Sequence, residues 1–142
     1  MGLFYKLIIV SLVAGSVLAA SLKIVQVTLN NDAYILLFNM DYILLLKDVE
    51  NLSGSGYVFH YVFCIVSVVI LFHLAKMVYL ETNIAVYVIV YSLGSGVLYF
   101  LTALTEKPPS VTSLESWIFW VVAHVLFGVV VGVMIEGWVV RG

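Results

Sequence analysis

Long apolar stretches, each bounded by polar residues, dominate the pattern of this chain. A bilayer core about 30 Å thick is crossed by a helix of roughly 20 apolar residues. Four stretches have that length, at residues 7–28, 57–79, 84–104 and 117–140. The pattern therefore predicts an all-α fold, an integral membrane four-helix bundle that forms a single transmembrane domain over residues 1–142.

The links after the second and third spans are short. Short connections usually place successive helices side by side and antiparallel, so we expect each of these pairs to be neighbours. The third span should end near Leu104, shortly before Pro108 and Pro109. Proline lacks the amide hydrogen that a helix needs, and it disfavours helical geometry in the residue before it.

The first connection, residues 30–56, is longer and contains an additional apolar segment. Residues 33–46 read AYILLFNMDYILLL, with Asn39 and Asp41 inside the run. Such a segment is too short to cross a bilayer and is typical of an interfacial, re-entrant or protein-covered element. We predict a short helix that lies over the bundle. A surface that docks a partner protein is the alternative.

The composition supports a membrane location and argues against several classes of function. The 142 residues are 64% hydrophobic and 10% charged, and the mean hydropathy is +1.19. The formal net charge of −2 offers no basic patch for nucleic acid. Zinc-ligand spacing, a Gly-rich phosphate loop and a nucleophile beside a base are all missing from the sequence. We therefore expect no metal, no cofactor and no enzymatic activity.

Small residues spaced four apart indicate where the helices pack. Residues four apart lie on one side of a helix, and a Gly-x-x-x-Gly pair lets two backbones approach closely. We predict that spans one, three and four pack through such residues, and the alternative is a dedicated dimer face. The candidate packing positions are Gly15, Ala19, Gly94, Gly96, Gly128 and Gly132.

Ionisable residues also occur within the spans, where a charge is costly. The helical rise of about 1.5 Å per residue predicts two layers. The layer nearer the loops contains His60 and His124, and the layer nearer the termini contains His73, Lys76 and Glu136. For the histidines we favour a neutral imidazole bonded to a neighbouring helix, with a proton relay or metal or haem ligation as alternatives. Lys76 and Glu136 either reach the headgroups or pair with each other.

An even number of spans places both termini on one face of the membrane. The basic residues do not decide which face this is, because three lie on each side of the predicted bundle. The acidic residues are concentrated on the loop side, but acidic residues influence topology only weakly. We predict a multi-pass protein of the cell membrane with both termini in the cytoplasm.

Two stretches contain motifs that belong together in one known family. Residues 56–79, GYVFHYVFCIVSVVILFHLAKMVY, open a span with a His-x-x-Phe pattern, and residues 104–132 contain a Pro-Pro loop, a Trp and a His-x-x-Phe-Gly helix. This combination resembles the YagU-like family of small bacterial inner-membrane proteins. The resemblance implies a bacterial inner membrane and no particular reaction. The family positions that it implies are His60, Pro108, Pro109, Trp117, His124 and Gly128.

These features together favour a non-catalytic accessory or self-assembling bundle. Its partners would be the lipid bilayer and either further copies of itself, as a homo-oligomer, or a larger membrane complex. The alternative is proton-linked transport, a channel or an acid-stress function, in which His60 and His124 gain charge as the external pH falls. That alternative requires oligomerisation, because a single chain of four spans is small for a pore.

Overall fold

Five α-helices make up most of the chain over residues 2–41, 43 and 53–142, which are the residues that the computed structural model describes. The helices are α1 (Leu3–Leu29), α2 (Ala33–Leu36), α3 (Ser55–Met77), α4 (Ile84–Leu98) and α5 (Leu114–Met134). A 3-10 turn, Tyr99–Leu104, continues α4, and a π-helical turn, Ile135–Val140, continues α5. The described ranges contain no strand, so the predicted all-α fold is confirmed.

Four helical segments are long and apolar enough to cross a membrane. With their continuations they are Leu3–Leu29, Ser55–Met77, Ile84–Leu104 and Leu114–Val140. Their outward faces remain apolar, and Val27, Leu93 and Val133 are each more than half exposed. Contiguous apolar surface of this kind is unfavourable in water and compatible with lipid, while the backbone polar groups are satisfied within each helix. The protein is a multi-pass membrane protein built on a four-helix bundle.

Side-chain caps explain where α4 and α5 begin. The Asn83 side chain accepts a hydrogen bond from the Ala85 N–H at 3.0 Å, and the Ser113 side chain accepts one from the Ser116 N–H at 3.3 Å. Such caps satisfy N–H groups that the first turn of a helix leaves unpaired. At the other end of α1, Asn30 stops the helix by adopting a left-handed conformation with a φ of 54°.

The pair of helices α1 and α5 forms the centre of the bundle. α3 packs on α1 and α4 packs on α5, so the order across the bundle is α3, α1, α5, α4. The Lys6 Nζ donates a hydrogen bond to the Trp138 carbonyl at 2.9 Å, which places both chain termini at one end of the bundle. The buried side chains of the central pair include Leu7, Val10, Ala14, Leu18 and Leu22 of α1 and Phe127 and Val131 of α5.

By contrast, α3 and α4 do not pack along each other, although a tight turn at residues 78–83 joins them. In this turn the Leu80 N–H donates to the Ala75 carbonyl at 2.8 Å. The prediction that short links make neighbours is therefore wrong for α3 and α4 and confirmed for α4 and α5. A turn constrains only the two helix ends that it joins, and side-chain packing sets the separation farther along.

The segment after α1 covers the end of the bundle opposite the termini, which we call the loop end. In this roof segment (residues 33–41 and 43), Ala33, Leu36 and Met40 are buried. The start of the roof segment is fixed to α5 by a hydrogen bond that the Asn31 Oδ1 accepts from the Ser116 hydroxyl at 3.1 Å. The predicted short helix over the bundle is therefore present, and residues 42 and 44–46 of the predicted apolar segment lie outside the described residues.

Candidate binding cavity

A cavity of about 730 Å³ lies inside the bundle, between α3 and α4. Side chains of α5 and Leu18 of α1 form its back wall. Leu36, Leu37 and Ile43 of the roof segment close it at the loop end. Binding sites for small molecules have volumes of about 300–1,000 Å³ and mostly apolar linings. The size and the lining of this cavity are therefore those of a ligand site.

The cavity occupies only the half of the cleft that is nearer the loop end. On α3 its lining residues run from Phe59 to Ser67, and on α4 with its 3-10 turn they run from Val90 to Leu101. At the helical rise these stretches are roughly 12 and 16 Å long, about half of a bilayer core of about 30 Å. Since residues 78–83 join the other two helix ends, the cleft widens away from that turn.

The first histidine on the cavity wall, His60, is buried on α3. Its Nε2 lies 3.1 Å from the Gly15 carbonyl oxygen of α1, which can only accept, so Nε2 carries the proton and donates. Its Nδ1 lies 4.0 Å from the Cys64 Sγ. The hydrogen bond to a neighbouring helix that the sequence predicts for the histidines is thus present at His60.

The second histidine, His124 on α5, bonds within its own helix instead. Its Nδ1 lies 2.7 Å from the Trp120 carbonyl oxygen, so Nδ1 carries the proton and donates. Its Nε2 makes no hydrogen bond with any residue in the described ranges. The Trp120 ring lies beside the imidazole, with the ring centroids 4.5 Å apart. His124 therefore presents a free acceptor on the wall of the same cavity that His60 lines.

Three further residues that line the cavity, Ser67, Ser95 and Tyr91, carry hydroxyl groups. The Ser67 hydroxyl donates to the Cys64 carbonyl, and the Ser95 hydroxyl donates to the Ser92 carbonyl, both at 3.0 Å. The Tyr91 hydroxyl is buried and has no hydrogen-bond partner in the part of the chain that the structure describes. Nothing in the sequence distinguishes Tyr91 from the other tyrosines of the third span, because hydropathy does not reveal which way a helix is rotated.

The residues of the predicted layer near the termini do not lie close to one another. His73 and Lys76 lie on the exposed face of α3, where the His73 Nδ1 donates to the Val69 carbonyl at 2.8 Å. Glu136 forms an ion pair with Arg141 at 2.7 Å rather than with Lys76. These three residues therefore do not form a common site.

Two of the predicted packing glycines lie directly against the backbone of α4. A Cβ atom added at Gly128 would lie 2.8 Å from the Val88 Cα and 2.9 Å from the Tyr87 carbonyl oxygen. A Cβ atom added at Gly132 would lie 2.9 Å from the Ile84 Cγ2. Distances this short show that α4 and α5 approach closely because these side chains are absent.

The other four predicted packing residues differ in their surroundings. An added Cβ at Gly15 would meet side chains of α3 at 3.1–3.4 Å, and one at Gly96 would meet side chains of α5 at 3.4–3.7 Å. Ala19 packs against the buried core. Gly94 has no atom within 4 Å of an added Cβ and lines the cavity instead. Gly94 therefore does not act in helix packing, and the prediction is corrected at this position.

The fold and the cavity define a class, that of multi-pass helical membrane proteins with an apolar internal cavity and a few polar groups on its wall. Comparisons with protein-family models, curated sequences and solved structures gave no match. The resemblance to the YagU-like family therefore stays a prediction. Within the described ranges, no group of three or more His, Cys, Asp or Glu side chains is placed to hold a metal ion.

Proposed function

We propose that this protein is a non-catalytic membrane binding protein, which takes an apolar molecule from the bilayer into the cleft between α3 and α4. The observation that carries the proposal is the cavity of about 730 Å³ with its mostly apolar wall. A site of this kind binds chiefly by burying apolar surface, and its few polar groups orient the ligand.

The wall also restricts the charge of the occupant. None of the lining residues that the structure describes is Lys, Arg, Asp or Glu. A charged group moved into such a place would lose its hydration without gaining a partner of opposite charge. The part of the molecule that enters the cavity is therefore neutral.

The dimensions of the cavity favour a lipid-like chain over a transmembrane helix. A helix that crosses the bilayer needs a groove about 30 Å long, whereas the lined stretches of α3 and α4 extend over roughly 12 and 16 Å. The roof segment closes the loop end, and the turn at residues 78–83 joins the two helices at the other end. A chain from one leaflet fits this space.

The small residues that favoured self-assembly mostly pack against other helices of the same chain. Gly128 and Gly132 lie against α4, and Gly15 lies against α3. Their packing faces are covered within a single copy, so they do not support a dimer. An accessory role in a larger membrane complex remains compatible with the proposal, because a binding protein can present its ligand to a partner.

The proton-linked alternative is supported by the position of His60 and His124 on one cavity. A relay needs a chain of titratable groups, and the other titratable groups on this wall are Cys64 and Tyr91. Each imidazole already bonds a backbone carbonyl, so ligand binding is the better supported function. Unchanged proton flux through proteoliposomes of His60→Ala and His124→Ala would remove the alternative.

Trp120 provides a direct test, because it lines the cavity and is only 8% exposed. With Trp117→Phe and Trp138→Phe, it becomes the only tryptophan in the chain. We expect phospholipids with brominated acyl chains, supplied in nanodiscs, to quench Trp120 fluorescence. Gly94→Leu, which fills the cleft, should abolish most of this quenching. The matched control is Gly137→Leu, which also meets open space but does not line the cavity.

Two outcomes would contradict the proposal. Equal quenching in the Gly94→Leu and Gly137→Leu proteins would show that quenching comes from bulk lipid outside the cavity. Absence of quenching in the parent protein would show that no lipid chain enters.

A further inference from the structure

The polar groups on the cavity wall specify the ligand more closely than the apolar ones do. Two of them, His60 and Ser67, use their protons inside the bundle on the carbonyls of Gly15 and Cys64. The Ser95 hydroxyl likewise donates to a backbone carbonyl. The protons of these groups are already hydrogen-bonded, so they place little requirement on a ligand.

His124, in contrast, has a hydrogen-bond acceptor that the protein leaves unpaired within the described residues. Because its Nδ1 proton is bonded to the Trp120 carbonyl, its Nε2 has a lone pair and no partner among the described residues. An unpaired acceptor that loses contact with water destabilises the bound state unless the ligand supplies a donor. A ligand that covers His124 should therefore carry a hydrogen-bond donor.

Tyr91 lies close to His124 but does not add a requirement for the ligand. Both the Tyr91 ring and the His124 ring pack on Phe127, with centroid distances of 4.7 and 6.4 Å. The Tyr91 hydroxyl is buried without a partner in the described part of the chain. Its oxygen has almost no accessible surface, so a ligand in the cavity does not reach it, and Tyr91 places no requirement on the ligand.

We infer that the cavity selects a neutral amphiphile whose polar group donates a hydrogen bond to the His124 Nε2, an alcohol being the simplest case; this inference rests on the proposed function. A carbonyl or an ether oxygen can only accept, and an alkane can do neither. A carboxylate brings a charge to a wall on which the structure describes no Lys or Arg. A hydroxyl group donates and remains neutral, so an alcohol is the simplest probe of this requirement.

The inference can be tested by competition in the protein whose only tryptophan is Trp120. A lipid with brominated chains serves as the quencher, and unlabelled dodecanol, dodecane and dodecanoate compete with it. We expect dodecanol to restore fluorescence at about a five- to tenfold lower concentration than dodecane, the ratio that one net hydrogen bond of ordinary strength produces. Dodecanoate should compete least well.

A single variant tests whether His124 is responsible for the selectivity. His124→Phe should bring the ratio of dodecane to dodecanol concentrations toward one, without changing the dodecane concentration itself. The matched controls are His73→Phe and Tyr87→Phe, because neither residue lines the cavity. The Tyr87 hydroxyl instead donates to the Glu81 carbonyl at 2.9 Å. Both controls should retain the preference of the parent protein.

The outcomes separate this inference from the proposed function. Equal competition by dodecanol and dodecane in the parent, or stronger competition by dodecanoate, would overturn the inference and leave lipid binding in place. A preference that survives His124→Phe would overturn the assignment to this residue. Absence of quenching in the parent would overturn both proposals. If this variant fails to fold, the ratio measured in the parent still decides whether hydroxyl groups are selected.

Discussion

The helix α4 has two contrasting sides. On one side it packs tightly on α5, and Gly128 and Gly132 remove the side chains that would hold the two backbones apart. On the other side it stands away from α3, and the space between them is the cavity. We call the tightly packed contact between α4 and α5 the seam, and the open side toward α3 the cleft. Both sides are apolar, so hydrophobicity does not distinguish the seam from the cleft.

The difference shows what holds membrane helices together. Lipid tails are as apolar as leucine, so burying apolar surface against another helix gains little over leaving it in lipid. Close backbone approach and hydrogen bonds between helices are what favour association. The seam has both, because the Trp117 and Trp120 indole N–H groups donate to the carbonyls of Gly96 and Ser95 at 3.0 Å. At the cleft, the Tyr91 hydroxyl has no partner in the described part of the chain.

The largest expected effect comes from adding one methyl group to the seam. In Gly128→Ala, the new Cβ would lie 2.8–2.9 Å from backbone atoms of α4, which cannot avoid the clash by changing rotamer as a side chain can. Overpacking of this kind costs about 1–3 kcal/mol, and we expect a loss of that size in the free energy of unfolding in detergent. Denaturant titration followed by circular dichroism measures it.

The matched control for that substitution is Gly94→Ala at the cleft. The same methyl group there meets open space, and alanine is favoured over glycine in a helix by up to about 1 kcal/mol. The control should therefore be neutral or slightly stabilising. If the two variants lose equal stability, the seam and the cleft do not differ in packing as described.

Hydropathy predicts which parts of the chain cross the membrane but not how the helices are rotated. Four apolar stretches of sufficient length indicated four helices, and a fifth that was too short indicated the roof segment. The neighbours of each helix were harder to predict, because every face of these helices is apolar and lipid competes equally with protein for all of them. For that reason the sequence did not reveal the gap between α3 and α4.

The same limit explains what was missed at the site. Counting residues along the spans gave His60 and His124 similar depths, and the structure places both on the cavity. Depth alone also grouped His73 with Glu136, but His73 lies on the exposed face of α3 and Glu136 pairs with Arg141 beyond α5. Gly94 and Gly96 looked alike in the sequence. Two positions along a helix turn the side-chain direction by roughly 200°, so Gly96 meets α5 whereas Gly94 faces the cavity.

A smaller effect is expected from removing one hydrogen bond of the seam. Trp117→Phe keeps an aromatic ring between the helices and deletes the indole donor to the Gly96 carbonyl. The net contribution of such a bond is about 0.5–1.5 kcal/mol, with values near 0.6 kcal/mol typical between membrane helices. We expect a loss in that range in the same denaturant titration.

Trp138→Phe is the control for that measurement. Trp138 lies at the terminal end of the bundle, and its indole N–H makes no hydrogen bond with the described residues. Its backbone carbonyl, which accepts from Lys6, is retained in the variant. A loss as large in Trp138→Phe as in Trp117→Phe would attribute the effect to ring size and contradict a role for the bond across the seam.

The smallest effect on stability is expected at the roof of the cleft. Asp41 of the roof segment pairs with Lys107 at 3.2 Å and accepts a hydrogen bond from the Thr105 hydroxyl at 3.4 Å. Partly exposed ion pairs contribute about 0–1 kcal/mol, so Asp41→Asn should change global unfolding by less than about 0.5 kcal/mol. The reason is that the seam, which sets global stability, is untouched.

The same substitution should nevertheless loosen the roof locally. Asp41 and the Asn39 side chain, which donates to the Thr105 hydroxyl at 3.1 Å, together fix the end of the segment farther from α1. Because the variant removes only the Asp41 part, hydrogen exchange at residues 33–41 should become about two- to threefold faster, the factor that corresponds to roughly 0.5 kcal/mol. Glu136→Gln, which breaks the ion pair with Arg141 at the opposite end, should leave exchange in the roof unchanged. Because the roof closes the cavity at the loop end, a roof that exchanges equally fast in all three proteins would mean that its buried side chains and the Asn39–Thr105 hydrogen bond, rather than this ion pair, keep the cleft covered.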